Sequence, residues 1–293
     1  MSATINNHDE YHYLDLVERL IEQPLRSDRT GVGTHSLFAP SNLEFNLLDN
    51  TIPLLTTKRT FWKGIALELL WLISGCTDAR VLDKQGIKFW NANGSRDFLD
   101  KRGLKYEEGD LGPVYGFQWR HFGTKYLDCQ TDYTGQGVDQ LAECIDMIQN
   151  DPTSRRIIMS AWNPADLAKM ALPPCHMLCQ FYVDGQYLDC RLDQRSGDMG
   201  LGVPFNIASY SLLTHLIAQV CGKTARRFVL TLGDAHVYSN HVEGLKTQLE
   251  RKPYPFPKLK LDSSITNIDD FRLEHIELLD YKCHPTISLD MAV

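Results

Sequence analysis

Residues 172–210 read LPPCHMLCQFYVDGQYLDCRLDQRSGDMGLGVPFNIASY. Two runs rich in apolar and aromatic residues flank Asp184-Gly185, a pair that favours a tight hairpin turn. The stretch is therefore a strand, a turn, a second strand and a loop, followed by a helix with Pro204 near its first turn. Counting outward from the turn brings Cys175 and Arg195 to the same far end of the hairpin. A cysteine nucleophile reacts as thiolate, so its pKa must be held down by nearby positive charge. An arginine at that end can grip a phosphate and favour the thiolate at once. Ser196, Asp198 and Asn206 follow within eleven residues of Arg195. The competing reading makes Cys175 a buried core thiol, as most intracellular cysteines are.

The rest of the chain supplies helices and strands around this hairpin. Leu14, Val17, Leu20 and Ile21 recur at helical spacing and predict a helix over 11–23, closed by Pro24. Residues 37–47 read as one strand. An apolar helix is expected over 60–74 with Gly75 as its stop, and Glu68 interrupts its apolar face. An amphipathic helix over 138–149 precedes Arg155-Arg156 and a buried strand over 157–162. A helix over 204–221, a strand over 228–238 and a helix over 239–250 follow, and then Pro253, Pro255 and Pro257 break the chain. His236 and Tyr238 share one face of their strand by its period of two.

Composition narrows the class. The 293 residues hold 30 Lys and Arg against 37 Asp and Glu, a net charge of −7, which argues against a general nucleic-acid surface. An anionic substrate then needs a local arginine cluster. No window is apolar enough to span a membrane and the polar N-terminus does not read as a signal peptide. The eight cysteines, at 76, 129, 144, 175, 179, 190, 221 and 283, lie in apolar segments of a long chain, so reduced thiols are expected and no metal site.

Several blocks carry a resemblance: DRTGVGT, LLTTKRTFWKG, ELLWLISG, GDLGPVYGFQWRHFG, SRRIIMSAWNP, LPPCHMLCQFYV, QRSGDMGLGVPFNIASY, GDAHVYSNH and HPTISLDMAV. Together they resemble the thymidylate synthase family over residues 28–293, in the longer form found in eukaryotes and large viruses. The resemblance implies reductive methylation of dUMP to dTMP. 5,10-Methylenetetrahydrofolate would give both carbon and hydride and leave as dihydrofolate, so no nicotinamide, flavin or metal is expected. A sister activity, deoxycytidylate hydroxymethylation, is the alternative. Asn206 weighs against it, because a carboxamide offers uracil both donor and acceptor where a cytosine reader favours aspartate. A non-catalytic nucleotide-binding protein is a further rival, and the presence of Cys175 argues against it.

The resemblance also assigns residues. It makes Cys175 the nucleophile at uracil carbon 6, with Glu68, Tyr115, His176, Arg195, Asp198 and Asn206 as further catalytic groups. It gives dUMP to Arg29, Arg155, Arg156, Arg195, Ser196, Gly197, Asp198, Asn206, His236, Val237 and Tyr238. It gives the folate to Phe89, Trp90, Asn93, Asp198, Leu201, Gly202, Phe205, Ala292 and Val293. Arg155 and Arg156 are implied to reach the phosphate in the partner's site of a homodimer. Two positions depart from the family pattern: Asn91 stands where the family usually has aspartate, and Asp193 where it usually has tyrosine. The expected fold is α+β: a single domain whose mixed β-sheet is packed by helices on one face and forms the homodimer interface with the other. Residues 1–25 would be a polar N-terminus with the first helix, and 26–293 the catalytic domain, in a cytoplasmic or nuclear protein.

Overall fold

The computed structural model describes residues 8–291. Its strands are β1 (Leu25–Arg26), β2 (Thr34–Phe38), β3 (Leu43–Asn46), β4 (Ile158–Ser160), β5 (His176–Asp184), β6 (Tyr187–Asp198), β7 (Thr224–Tyr238), β8 (Lys258–Leu261) and β9 (Ile276–Leu279). Its α-helices are α1 (Glu10–Ile21), α2 (Trp62–Ile73), α3 (Ala79–Asp83), α4 (Asn91–Gly94), α5 (Arg96–Lys101), α6 (Tyr115–His121), α7 (Gln140–Asn150), α8 (Gly202–Val220) and α9 (Val242–Leu249).

The main sheet runs β1-β2-β7-β6-β5-β4, with β3 also paired to β7, and β8-β9 form a separate two-stranded sheet. β6 and β7 are parallel and every other pair is antiparallel. A parallel pair needs a crossover connection, and α8 supplies it. The fold is thus α+β on a mixed sheet, as expected. α8 packs on β6 and β7, and every residue from Ile207 to Ala218 is buried. The opposite face of β4–β6 stays open in the single chain: Tyr182 is 60% exposed and Ile158 37%.

The hairpin turns one residue later than expected. Its central pair is Gly185-Gln186, with Asp184 opposite Tyr187 and Gly185 at φ 58°. Glycine tolerates that left-handed backbone because it has no Cβ. The expected strand over 37–47 divides in two. Ala39 takes φ 50°, Pro40 follows, and the chain re-enters the sheet as β3 at a different part of β7.

α1 buries Tyr13, Leu14, Leu16, Val17 and Leu20 in the common core. Glu10 at its start is fully buried, and its carboxylate accepts hydrogen bonds from the backbone N–H and hydroxyl of both Thr56 and Thr57 at 2.6–3.0 Å. Four donors replace the water that a buried charge loses. No described helix is long and apolar enough to cross a membrane, and all eight cysteines are free.

Candidate active site

The hairpin ends set the centre. Arg195 donates its backbone N–H to the Cys175 carbonyl at 2.9 Å, so the two residues face each other across β5 and β6. The Arg195 guanidinium bonds the carbonyls of Pro174 (2.9 Å) and Pro173 (3.1 Å), and its Nη2 lies 3.7 Å from Cys175 Sγ. Trp162 lies under the same guanidinium, 5.7 Å from ring centre to carbon. The diproline thus fixes two carbonyls that aim the cation at the thiol.

The charge does not leave Cys175 with a low pKa, as the sequence reading required. Burial pushes the thiol up, and Arg195 and then Arg29 only partly offset it. Desolvation penalises the thiolate on every side, whereas two arginines act from one. Arg29 sits exposed in a loop held by Asp28, whose carboxylate takes Thr30 N–H, Thr30 Oγ1 and Gly33 N–H.

Tyr115, the first residue of α6, accepts the Cys175 N–H at 2.9 Å. Its ring stacks on His176, with centroids 4.0 Å apart, and meets Trp90 edge-on. His176 Nδ1 and the Tyr210 hydroxyl are 2.7 Å apart, and burial pushes the imidazole down to about 3. At neutral pH it is uncharged, and it braces Tyr115. Glu68 lies on α2 and accepts the Trp90 Nε1–H at 2.8 Å. Burial raises its carboxyl to about 7, more than that hydrogen bond lowers it. A group poised there can both hold and release a proton near neutral pH.

The walls follow. Phe89 meets Phe61 and Phe205 edge-to-face at 6.3 and 5.3 Å. Gly64 allows this, since a Cβ there would collide with both Phe61 and Phe89. Asn93 lies on α4, four residues after Phe89. Asn91, on the exposed side of the same turn, donates to Asp83 at 2.8 Å. Asp198 closes β6 and accepts Gly200 N–H at 2.8 Å, ahead of Leu201 and the α8 start at Gly202. Asn206 and Phe205 stand on the first two turns of α8. Ser196, Gly197 and Asp198 run parallel to Asp234, Ala235 and His236 on β7. His236 Nδ1 lies 3.1 Å from Asp234 Oδ1, Val237 is buried, and the Tyr238 ring lies 5.3 Å from that of His236.

Arg155 and Arg156 are exposed ahead of β4, away from this cluster and on the border of the open sheet face. Asp193 lies on that face too, and Arg191 pairs with it at 2.6 Å. Ala292 and Val293 lie outside the described residues. Two groups escaped the sequence reading. Lys58 is buried, donates to the Gly200 carbonyl, and is pushed down to about 8 by burial against the pull of Asp198. His241 is fully buried between Asp198 and Asp290. Both lie inside blocks that carry the family resemblance, but spacing alone gives neither a role.

The thymidylate synthase family profile matches residues 11–293. The chain is 58% identical to the thymidylate synthase of Agaricus bisporus, over 98% of this chain and all of that one. It is 57% identical to that of Saccharomyces cerevisiae over the full length of both, and 57% identical to that of Homo sapiens over 98% of this chain and 91% of the human one.

Proposed function

The chain belongs to the thymidylate synthase family, methyltransferases that convert dUMP to dTMP, and we propose that this site does so through a covalent bond from Cys175 to uracil carbon 6. The observation that carries the proposal is the Arg195 guanidinium 3.7 Å from the Cys175 sulfur at the open end of the hairpin.

Carbon 5 of uracil is a poor nucleophile. Addition of the Cys175 thiolate at carbon 6 makes the ring an enolate, with electron density at carbon 5. Arg195 and Arg29 stabilise the thiolate and bind the phosphate. Asn206 hydrogen-bonds the uracil edge and supports the enolate oxygen as charge develops. His236 and Tyr238 take the ribose hydroxyl. The electron-rich carbon 5 bonds the one-carbon unit, and its proton then leaves to a general base, a bound water in contact with Tyr115, with Glu68 completing the proton path. Once carbon 5 carries its methyl group, the carbon 5–carbon 6 double bond re-forms, the carbon 6–sulfur bond breaks, and Cys175 leaves as thiolate. Methylenetetrahydrofolate supplies the one-carbon unit and the hydride when bound. The edge-to-face rings of Phe89 and Phe205 give a flat ring an apolar seat, and Asp198 gives it a polar one.

The open β4–β6 face supports a homodimer, with Tyr182 and Ile158 covered by a second copy. In that dimer Arg155 and Arg156 serve the partner's phosphate. Eight thiols without a disulfide accord with a reducing compartment, and we place the enzyme in the cytoplasm.

The test is intact-mass spectrometry of the protein with 5-fluoro-dUMP and methylenetetrahydrofolate. A ternary adduct mapped to Cys175 is expected, and Cys175→Ala should form none while keeping dUMP affinity. An adduct on any other cysteine refutes the assignment.

A further inference from the structure

His241 closes the GDAHVYSNH block, and none of the roles above uses it. Its ring is fully buried. Nε2 lies 2.7 Å from the carbonyl oxygen of Asp290. A carbonyl only accepts, so Nε2 carries the hydrogen. Nδ1 has no partner among the described residues and faces Asp198 Oδ1 at 3.7 Å. Gly200 makes room for this approach, because a Cβ there would collide with Nδ1.

Residues 285–290 run along α9, whose N-terminal cap is His241. Arg251 holds the Pro285 carbonyl at 2.8 Å. Gly244 lies so close to Ile287 and Leu289 that a Cβ would collide with both. His241 fastens Asp290 with one nitrogen and faces the site carboxylate with the other.

We propose that His241 is a positioning residue that ties Asp198, the carboxylate assigned to the folate, to the carboxyl-terminal segment, so that folate binding and tail docking are coupled. This rests on the assignment of Asp198 in the proposed function. A neutral ring turns an acceptor lone pair toward the carboxylate, which repels it. An imidazolium donates at both nitrogens and satisfies Asp198 and Asp290 together.

Burial opposes that charge, but the Asp198 carboxylate and the Asp290 carbonyl outweigh it and raise the imidazole above its ordinary 6.5. Lys58 pushes the other way. The Tyr238 ring packs edge-on at 5.6 Å, and its own pKa is raised, so it stays neutral. A raised pKa means the clasp is fully present below 6.5 and is lost as pH climbs through the raised value.

Two substitutions separate the arms. His241→Gln places an amide near the Nε2 position and keeps the Asp290 bond; His241→Asn places one near Nδ1 and keeps a donor facing Asp198. The probe is tetrahydrofolate, which carries no methylene to transfer, added to the dUMP complex of the intact dimer. Hydrogen exchange of residues 285–291 is followed by mass spectrometry at about pH 6, below the ordinary imidazole value, and at about pH 8.5. In wild type, tetrahydrofolate should slow tail exchange about tenfold at the lower pH and less at the higher. In His241→Gln the slowing should vanish, with KM for methylenetetrahydrofolate raised about tenfold and dUMP affinity kept. In His241→Asn the tail should exchange faster from the outset, with the loss in kcat rather than KM.

Calorimetry on the same samples measures tetrahydrofolate binding itself. Absent binding counts against the folate assignment of the cleft. Binding that leaves wild-type tail exchange unchanged at both pH values overturns the His241 proposal, and so does unaltered coupling in both variants. If neither variant folds, the pH series is run on wild type and on Lys58→Met, which removes the other group titrating beside Asp198; loss of the pH dependence in Lys58→Met assigns it to Lys58 and overturns the His241 proposal.

Discussion

Replacing Arg195 with methionine removes a positive charge 3.7 Å from Cys175 Sγ while keeping most of the side-chain volume. At an effective dielectric of about 20, a unit pair at that distance attracts by about 4 kcal/mol. Cys175 is partly exposed and Arg29 still acts on the thiol, so screening leaves about half of that attraction to lose. A loss of about 2 kcal/mol lowers the thiolate fraction about 30-fold wherever the thiol is mostly protonated. The thiol already sits above its ordinary pKa, so that condition holds at neutral pH. The assay is iodoacetamide alkylation of Cys175, mapped by peptide mass because seven other cysteines are present. Alkylation of Arg195→Met should run about 30-fold slower at neutral pH and approach wild type only in alkali, where both thiols ionise. Arg195→Lys keeps charge without the two proline bonds and should fall between. Equal neutral-pH rates in wild type and Arg195→Met, with circular dichroism unchanged, would show that the guanidinium holds the hairpin and does not tune the nucleophile.

Glu10→Gln must turn an NH₂ group toward the backbone N–H of Thr56 or Thr57, and should cost roughly 2–3 kcal/mol in urea unfolding; a loss below about 0.5 kcal/mol refutes the buried-carboxylate account. Glu68 titrates at about 7 folded against 4.5 unfolded, so wild type loses stability as pH rises between those values. Glu68→Gln should lack that loss in thermal unfolding, gaining on wild type only above pH 4.5, while turnover falls roughly 100-fold or more. Cys175→Ala and a variant carrying both Arg155→Ala and Arg156→Ala should each be inactive, yet unfolding and refolding an equal mixture should restore roughly a quarter of wild-type activity if sites are shared. Mixed dimers that stay inactive would confine the two arginines to their own subunit.

Local pattern made much of this molecule legible. Helical spacing gave α1, α2 and α7, and counting outward from the Asp184-Gly185 turn brought Cys175 and Arg195 to the same far end; their direct pairing came from a turn one residue later and an irregularity between His176 and Leu178. Motif resemblance named the family and supplied the proposed roles of the site residues. Neither could give the thiol's resting state, because desolvation is summed over every neighbour and the arginines oppose it only in part. Tyr115 meets Cys175 across 60 residues of sequence, Trp90 reaches Glu68 across 22, and Lys58 reaches Gly200 across 142. Spacing carries no information about such pairs. The break at Ala39 and the fastening of the tail by His241 were likewise decided in three dimensions: the first by a left-handed residue before a proline, the second by two glycines that let backbone and ring approach. Sequence periodicity encodes which face a residue takes; burial, and with it proton affinity and contact across the chain, exists only once the faces have packed.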